Sequence, residues 1–222
     1  MRDVFTQIKP NDKVVDFACG KSYGDKQKNK YHKHLLVVTQ QGLLFARGDI
    51  ARTVFHKSVV EESKDGQSFM IKFANRKKPD KVYKVKQVFS SQNLPCFWVN
   101  VTNRHGKMKT LGAGSDEFYL GTPVGKKPNQ FEKLALPKGT YLTKVECFIV
   151  SGYGIDQDGN LWFWGQKHMK AEELEMRHVF SGFNPNDDDA MIQKPIKCKW
   201  FTDHGLRVTN VSCGSMSSII EA

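Results

Sequence analysis

The sequence lacks any long apolar run. No stretch approaches the roughly 20 consecutive apolar residues that a membrane-spanning helix needs. Residues 1–13 carry charges where a secretory signal would have its apolar region. We therefore expect an intracellular protein, cytoplasmic or nuclear, with no membrane span.

Cysteines are few, and their number, five, is odd. Cys19, Cys147 and Cys213 follow short apolar strands at corresponding points of a repeated pattern described below. Positions that recur with the repeat indicate a structural role, and not disulfide partners or metal ligands. We expect these three cysteines to be small buried hydrophobic residues.

Acidic residues are outnumbered, with 23 Asp and Glu against 34 Lys and Arg, which gives a net charge of +11. Such a surplus favours acidic partners: nucleic acid, an acidic protein surface or anionic lipid. A charged surface that only keeps the protein soluble explains the same surplus. The 39% hydrophobic content over 222 residues indicates a globular protein with one sizeable core.

Catalytic and ligand-binding motifs are also lacking. Gly20-Lys21-Ser22 has no glycine at the position that a phosphate-binding loop requires. Residues 156–160 (DQDGN) resemble a calcium loop but lack its downstream glutamate, and they fit a hairpin turn better. His32 and His34 lie among lysines, so we expect solvent-exposed histidines and not metal ligands. We predict no catalytic residues, no metal, no cofactor and no enzymatic activity.

What the sequence does contain is an internal repeat. Residues 145–166 (VECFIVSGYGIDQDGNLWFWGQ) predict strands at 148–153 and 161–164 joined by a turn at 157–160, because Asp-Gly between apolar runs favours a tight hairpin. The spacing from Gly159 to Gly165 recurs between Gly106 and Gly112 and between Gly42 and Gly48. A recurring unit of this kind indicates stacked structural repeats.

A second marker precedes the hairpins, an apolar residue followed by a spacer and a small residue. It occurs at Phe17-Ala18-Cys19, Val88-Phe89-Ser90, Val145-Glu146-Cys147 and Val211-Ser212-Cys213. In the first and last copies a glycine follows, Gly20 and Gly214.

With these markers the chain resembles the regulator of chromosome condensation repeat family, whose unit ends in Leu-x-x-Trp-Gly. Leu161-Trp162-Phe163-Trp164-Gly165 matches that ending best, whereas residues 43–48 carry Arg47 at the usual tryptophan position. The resemblance implies an all-β fold of propeller blades, of the seven-bladed type, each a four-stranded antiparallel sheet.

The resemblance divides the chain into about three full repeats and the start of a fourth, forming a single incomplete β-propeller over 1–222. The repeats cover approximately 14–84, 85–140, 141–201 and 202–222. The segment 167–179 is the one predicted helical insertion, and residues 196–201 are predicted to form a strand.

Propellers of the resembled family act as exchange factors for a small GTPase, as chromatin-binding platforms and as interaction modules. The interpretation that we favour is a non-enzymatic protein-interaction module or scaffold within a larger protein or assembly. A guanine-nucleotide exchange factor, or a chromatin or nucleic-acid platform that uses basic loops, is the alternative.

Two basic segments, 21–33 and 76–86, are the best candidates for partner binding, because tyrosines alternate with their charges, as on many nucleic-acid surfaces. The predicted contact residues are Lys21, Tyr23, Lys26, Lys28, Lys30, Tyr31, Lys33, Arg76, Lys77, Lys78 and Lys81.

Two structural expectations follow from the blade interpretation. Trp162 and Trp164 should differ in burial, one packed between blades and the other near a blade face. Three repeats and part of a fourth leave a ring of four to eight blades open, so we expect further blades, another subunit or self-association to complete it. The segment 208–222 should then be poorly protected from hydrogen exchange.

Overall fold

The computed structural model describes residues 8–25, 30–48, 59–64, 66–71, 74–75, 78–91, 95–114, 120–123, 131–148, 151–166, 191–213 and 218–222. Nearly all regular structure in these residues is antiparallel β-sheet, as the repeat pattern predicts.

The first sheet, sheet 1, has five strands in the order β1-β2-β3-β5-β4. Its strands are β1 (Val14–Asp25), β2 (Lys30–Thr39), β3 (Leu44–Arg47), β4 (Val59–Glu62) and β5 (Ser68–Ile71). As the continuous apolar run predicts, Leu36, Val37 and Val38 are fully buried. A small hairpin of β6 (Ala74–Asn75) and β7 (Lys78–Val82) follows.

Sheets 2 and 3 have four strands each, and sheet 4 is a hairpin. Sheet 2 contains, in spatial order, β11 (Glu132–Lys133), β10 (Met108–Gly114), β9 (Cys96–Thr102) and β8 (Lys84–Ser90). Sheet 3 contains β12 (Leu142–Phe148), β13 (Ser151–Asp156), β14 (Leu161–Gln166) and β15 (Met191–Lys197). Sheet 4 pairs β16 (Asn210–Cys213) with β17 (Ser218–Glu221).

The same tight turn joins the second and third strands of sheets 1, 2 and 3. Its glycines, Gly42, Gly106 and Gly159, have φ of 82°, 72° and 80°, a conformation that favours glycine. In each turn the side chain three residues earlier accepts a backbone N–H: Thr39 from Leu43, Asn103 from His105 and Lys107, and Asp156 from Asp158 and Asn160. The repeated glycine spacing therefore correctly locates the hairpins.

The first strand of each sheet lies on the inner side, where β1 contacts β8, β8 contacts β12 and β12 contacts β16. The sheets are thus arranged around a common axis, as the blades of a propeller are. We call the end of the arc that carries Gly42, Gly106 and Gly159 the turn end. The opposite end, where each first strand leads into the second, we call the loop end.

Three apolar clusters hold neighbouring sheets together. Leu36, Phe69 and Ile71 of sheet 1 pack against sheet 2 with Val88 and Val99 among their neighbours. Between sheets 2 and 3 the largest buried rings are those of Trp98 and Trp164, whose centroids lie 6.1 Å apart. Between sheets 3 and 4 the cluster includes Phe163, Val208 and Val211.

The prediction that Trp162 and Trp164 differ in burial is wrong. Trp162 is 8% exposed and Trp164 is fully buried, and both belong to the cluster that faces sheet 2. Side chains two residues apart on a strand share a face, so the pair lies on one side of β14. Phe163, between them, points to the opposite cluster.

Two predicted strands have different limits. The strand expected at 196–201 ends at Lys197, and a short helix, α1 (Lys199–Asp203), follows it. Cys198 and Phe201, three residues apart, both pack into the cluster beside sheet 4, a spacing that fits a helical turn. The strand expected at 148–153 combines the end of β12 with the start of β13. The helix predicted at 167–179 lies outside the described residues.

All five cysteines are free thiols. Cys147 is buried as predicted, and its burial raises the pKa of the thiol to about 12. Cys213 is half-buried. The prediction is wrong for Cys19, which is exposed, because the face of sheet 1 that carries it has no neighbouring sheet among the described residues.

Candidate interaction surface

The first two strands extend far beyond the rest of sheet 1. β3 ends its pairing with β2 at Leu35, whereas β1 and β2 continue through Lys21 opposite Lys33 and Tyr23 opposite Tyr31 to Asp25 opposite Lys30. The corresponding hairpin of sheet 2 ends with Ser90 opposite Phe97. Residues 20–25 and 30–34 therefore form a two-stranded ribbon that runs about 16 Å beyond the sheet at the loop end.

The register of this ribbon places like residues opposite each other. Lysine faces lysine at positions 21 and 33, and tyrosine faces tyrosine at 23 and 31. Both pairs lie beyond the point where β3 stops pairing with β2. Like charges directly opposite each other destabilise a sheet.

His34 anchors the base of the ribbon against sheet 2, and the prediction that it is solvent-exposed is wrong. It is 4% exposed, its ring stacks edge-on against Phe97 at 4.7 Å, and its Nε2 lies 2.5 Å from Ser90 Oγ. The lysines around His34 in sequence did not indicate this burial, because the side chains that cover the ring, Ser90 of β8 and Phe97 of β9, are far away in sequence.

Burial lowers the pKa of the His34 imidazole to about 4. The Ser90 hydroxyl donates to the Ser91 carbonyl at 3.2 Å, so His34 Nε2–H is the donor to Ser90 Oγ. Nδ1 is then unprotonated, and the described residues give it no hydrogen-bond partner. A Cβ at Gly20 would lie 2.5 Å from His34 Nε2, which explains the glycine at this position.

The second basic segment lies at the other end of the molecule. The chain leaves sheet 1 at Ile71, opposite Leu44 beside the Gly42 turn, and enters sheet 2 at Lys84, which packs against Gly42. The hairpin β6–β7, which carries Lys78 and Lys81, connects these two points at the turn end. The ribbon carries Lys21, Tyr23, Lys30, Tyr31 and Lys33 at the loop end, so topology separates the two segments. Lys26, Lys28, Arg76 and Lys77 lie outside the described residues.

The turn end has two further basic residues, Lys84 of the second basic segment and Arg207, which no sequence pattern singled out. Lys84 packs against Gly42 and Arg207 against Gly159, and the next residue in each case, Val85 or Val208, donates its N–H to the carbonyl of that glycine. The two cations thus occupy corresponding positions on the turns of sheets 1 and 3. Arg207 is isolated in sequence, and only the repeat alignment could have identified it.

Both carboxylate oxygens of Asp156 accept hydrogen bonds from residues of its own hairpin. One carboxylate oxygen accepts from the N–H groups of Asp158 and Asn160, and the other accepts from Trp162 Nε1 at 2.9 Å.

Within the described part of the chain, no group of three or more His, Cys, Asp or Glu side chains is placed to hold a metal ion. No helix in that part is long and apolar enough to cross a membrane.

No protein-family model and no curated protein sequence matches the chain. Solved structures do match. Human WBSCR16 matches with 17% identity and a TM-score of 0.57, over 96% of this chain and 45% of that one. Prp20p from Saccharomyces cerevisiae, described with its binding properties to Gsp1p and histones, matches with 17% identity and a TM-score of 0.60, over 97% and 44%.

Yeast RCC1 (Prp20) in a structure with Kap60 also matches, with 16% identity and a TM-score of 0.57, over 97% of this chain and 43% of that one. The chain thus spans less than half the length of these proteins. Its sheets nonetheless superpose on theirs almost from end to end, and it has the β-propeller repeat fold of regulator of chromosome condensation proteins.

Proposed function

We propose that this chain is a non-enzymatic protein-interaction module, a scaffold of propeller repeats that presents the ribbon to an acidic partner. The repeats cover approximately 14–84, 85–140, 141–201 and 202–222. The observation that carries the proposal is the register of the ribbon, which places Lys21 opposite Lys33 and Tyr23 opposite Tyr31 beyond the edge of sheet 1.

The ribbon is well suited to contact a partner because it is held rigidly at its base. Buried His34 and the fully buried Leu36 belong to β2, and they fix this strand against sheet 2. A rigid support of this kind lowers the entropy that binding would otherwise cost. We assign a separate contact to the second basic segment, whose described lysines, Lys78 and Lys81, belong to the hairpin at the turn end.

The test is charge reversal in the ribbon. We expect Lys21→Glu combined with Lys33→Glu to weaken binding to poly-glutamate or to a duplex DNA by at least about tenfold, and wild-type binding to weaken steeply as salt rises. Fluorescence anisotropy between 50 mM and 300 mM salt measures both effects. The matched control is Lys133→Glu with Lys194→Glu, two exposed lysines on the outer strands of sheets 2 and 3.

Two outcomes would contradict the ribbon as the contact site: affinity that does not change with salt, or equal loss in the ribbon and control variants. The two probes separate the partner classes. Binding to DNA without binding to poly-glutamate would favour the chromatin or nucleic-acid platform.

A guanine-nucleotide exchange factor for a small GTPase is the second candidate. It is supported by the structural similarity to Prp20p, whose structure is described with its binding to Gsp1p. Nucleotide release from a panel of small GTPases, with and without the chain, tests it. Stimulated release from one member would replace the scaffold proposal with exchange activity.

A further inference from the structure

The four copies of the sequence marker place their first residue on the same face of the first strand of each sheet, with very different exposure. In sheets 2, 3 and 4 the first marker residue packs against the preceding sheet: Val88 is 4% exposed, Val145 is 5% exposed and Val211 is fully buried. In sheet 1 the corresponding residue, Phe17, is 56% exposed. An aromatic ring thus occupies the position that a neighbouring sheet covers everywhere else.

The other end of the arc shows the complementary feature. The residues paired with the second marker position face the following sheet; they are Leu36, Trp98, Tyr153 and Ile219. Leu36 and Trp98 are fully buried, whereas Ile219 is 74% exposed. Sheet 4 packs its opposite side, with Val211 and Ile220, against sheet 3.

We infer that a second copy of this chain packs head-to-tail on the first, with the Ile219 face of one copy on the Phe17 face of the other. This junction continues the interface already formed three times within the chain, in which the following-sheet face of one sheet meets the marker residue of the next. Each copy supplies one face of each kind, so the two faces are complementary.

Two observations support a second copy as the occupant. Val15 is 56% exposed beside Phe17 on β1, and among the described residues Ile8 packs on this face around Val37 and Phe45. The chain covers 45% of the length of the human WBSCR16 chain. A ring of that curvature therefore has room for a second copy.

The inference rests on the propeller blades of the proposed function, but not on the ribbon. Loss of binding in the ribbon variants would leave it intact, and failure of self-association would leave the ribbon proposal intact.

The test is complementation between two single variants, Phe17→Asp and Ile219→Asp, followed by sedimentation velocity over a concentration series. Because every head-to-tail junction needs one face of each kind, each variant alone should lose association, with a dissociation constant raised on the order of 30-fold or more. An equimolar mixture should regain one intact junction, because the first variant retains its Ile219 face and the second retains its Phe17 face.

Leu206→Asp is the matched control, since Leu206 is an exposed apolar residue away from both faces, and it should associate as wild type does. Circular dichroism and thermal unfolding check that each variant is folded, which is expected because both side chains are exposed in a single copy. A wild-type chain that stays monomeric at 100 μM or about that concentration would overturn the inference. So would an Ile219→Asp variant that dimerises normally, or a mixture that gains no association.

Discussion

At the scale of single residues, the unusual side chain is His34. It is a titratable group in the apolar interface between sheets 1 and 2, with one ring nitrogen bonded to Ser90 and the other without a partner in the described residues. Protonation would place a positive charge in this interface. The interface therefore depends on a neutral imidazole.

This dependence predicts a loss of stability in acid. The His34 pKa falls from 6.5 to about 4 on folding, so its contribution is fully present above pH 6.5 and is lost as the pH falls from 6.5 towards 4. The free energy of unfolding should decrease by about 1.4 kcal/mol per pH unit in this window, about 3 kcal/mol in total. Urea denaturation of wild type and of His34→Gln between pH 7.5 and 4.5 measures it.

The variant should lose this slope, while His105→Gln, which removes an exposed imidazole, should keep it. Equal slopes in wild type and His34→Gln would show that other groups cause the acid sensitivity.

At the scale of elements, the turns at Gly42 and Gly106 share one conformation but differ in their surroundings. A Cβ at Gly106 would meet no atom within 4 Å, whereas a Cβ at Gly42 would lie 2.6 Å from Lys84 Cβ and 3.1 Å from Lys84 Cα. The Gly106 turn therefore has no close neighbour at this position, whereas Lys84, at the start of sheet 2, packs directly on the Gly42 turn.

Alanine substitution should separate these two effects. Gly106→Ala should cost about 1–2 kcal/mol, the penalty of the left-handed conformation alone. Gly42→Ala should cost about 1–3 kcal/mol more, because the main chain at Lys84 must move. Chemical denaturation of the two variants gives the difference, and equal costs would mean that sheet 2 does not depend on this contact.

Local elements were predictable from the sequence, and contacts between sheets were not. The turns at Gly42, Gly106 and Gly159 follow from glycine spacing, since a tight turn depends on a few neighbouring residues. The burial of His34 and the exposure of Cys19 depend on whether another sheet covers them, which no local pattern encodes. The ribbon lies in a segment predicted as a basic loop, because its lysines and tyrosines give no apolar alternation.

At the scale of the whole molecule, stability should be graded along the arc. Sheets 2 and 3 are covered on both faces by neighbouring sheets, whereas sheet 4 has two strands and one covered face. Amides of β9 and β13 should therefore exchange most slowly, and those of β16 and β17 most rapidly.

Hydrogen exchange with mass spectrometry, at a concentration too low for self-association, measures this gradient. Uniform protection from β1 to β17 would show that the sheets unfold as one unit. A rise in the protection of β17 with concentration would report the head-to-tail junction directly.

Each sheet presents to the next one a cross-strand pair that begins three residues before the turn residue Thr39, Asn103 or Asp156, and these pairs differ in polarity. Sheet 1 presents Leu36 beside Ala46, sheet 3 presents Tyr153 beside Phe163, and sheet 2 presents the polar pair Asn100 and Thr110.

The Asn100 amide donates to the Leu142 carbonyl at 2.6 Å, and Thr110 Oγ accepts the Leu142 N–H at 2.8 Å. If sheet 3 docked on sheet 1 by mistake, both backbone groups of Leu142 would face hydrocarbon unpaired, at a cost of about 1–3 kcal/mol each. Similar repeats are prone to assemble in the wrong order. These two hydrogen bonds therefore favour docking of sheet 3 on sheet 2 over docking on sheet 1. The order of the sheets in space then follows their order along the chain.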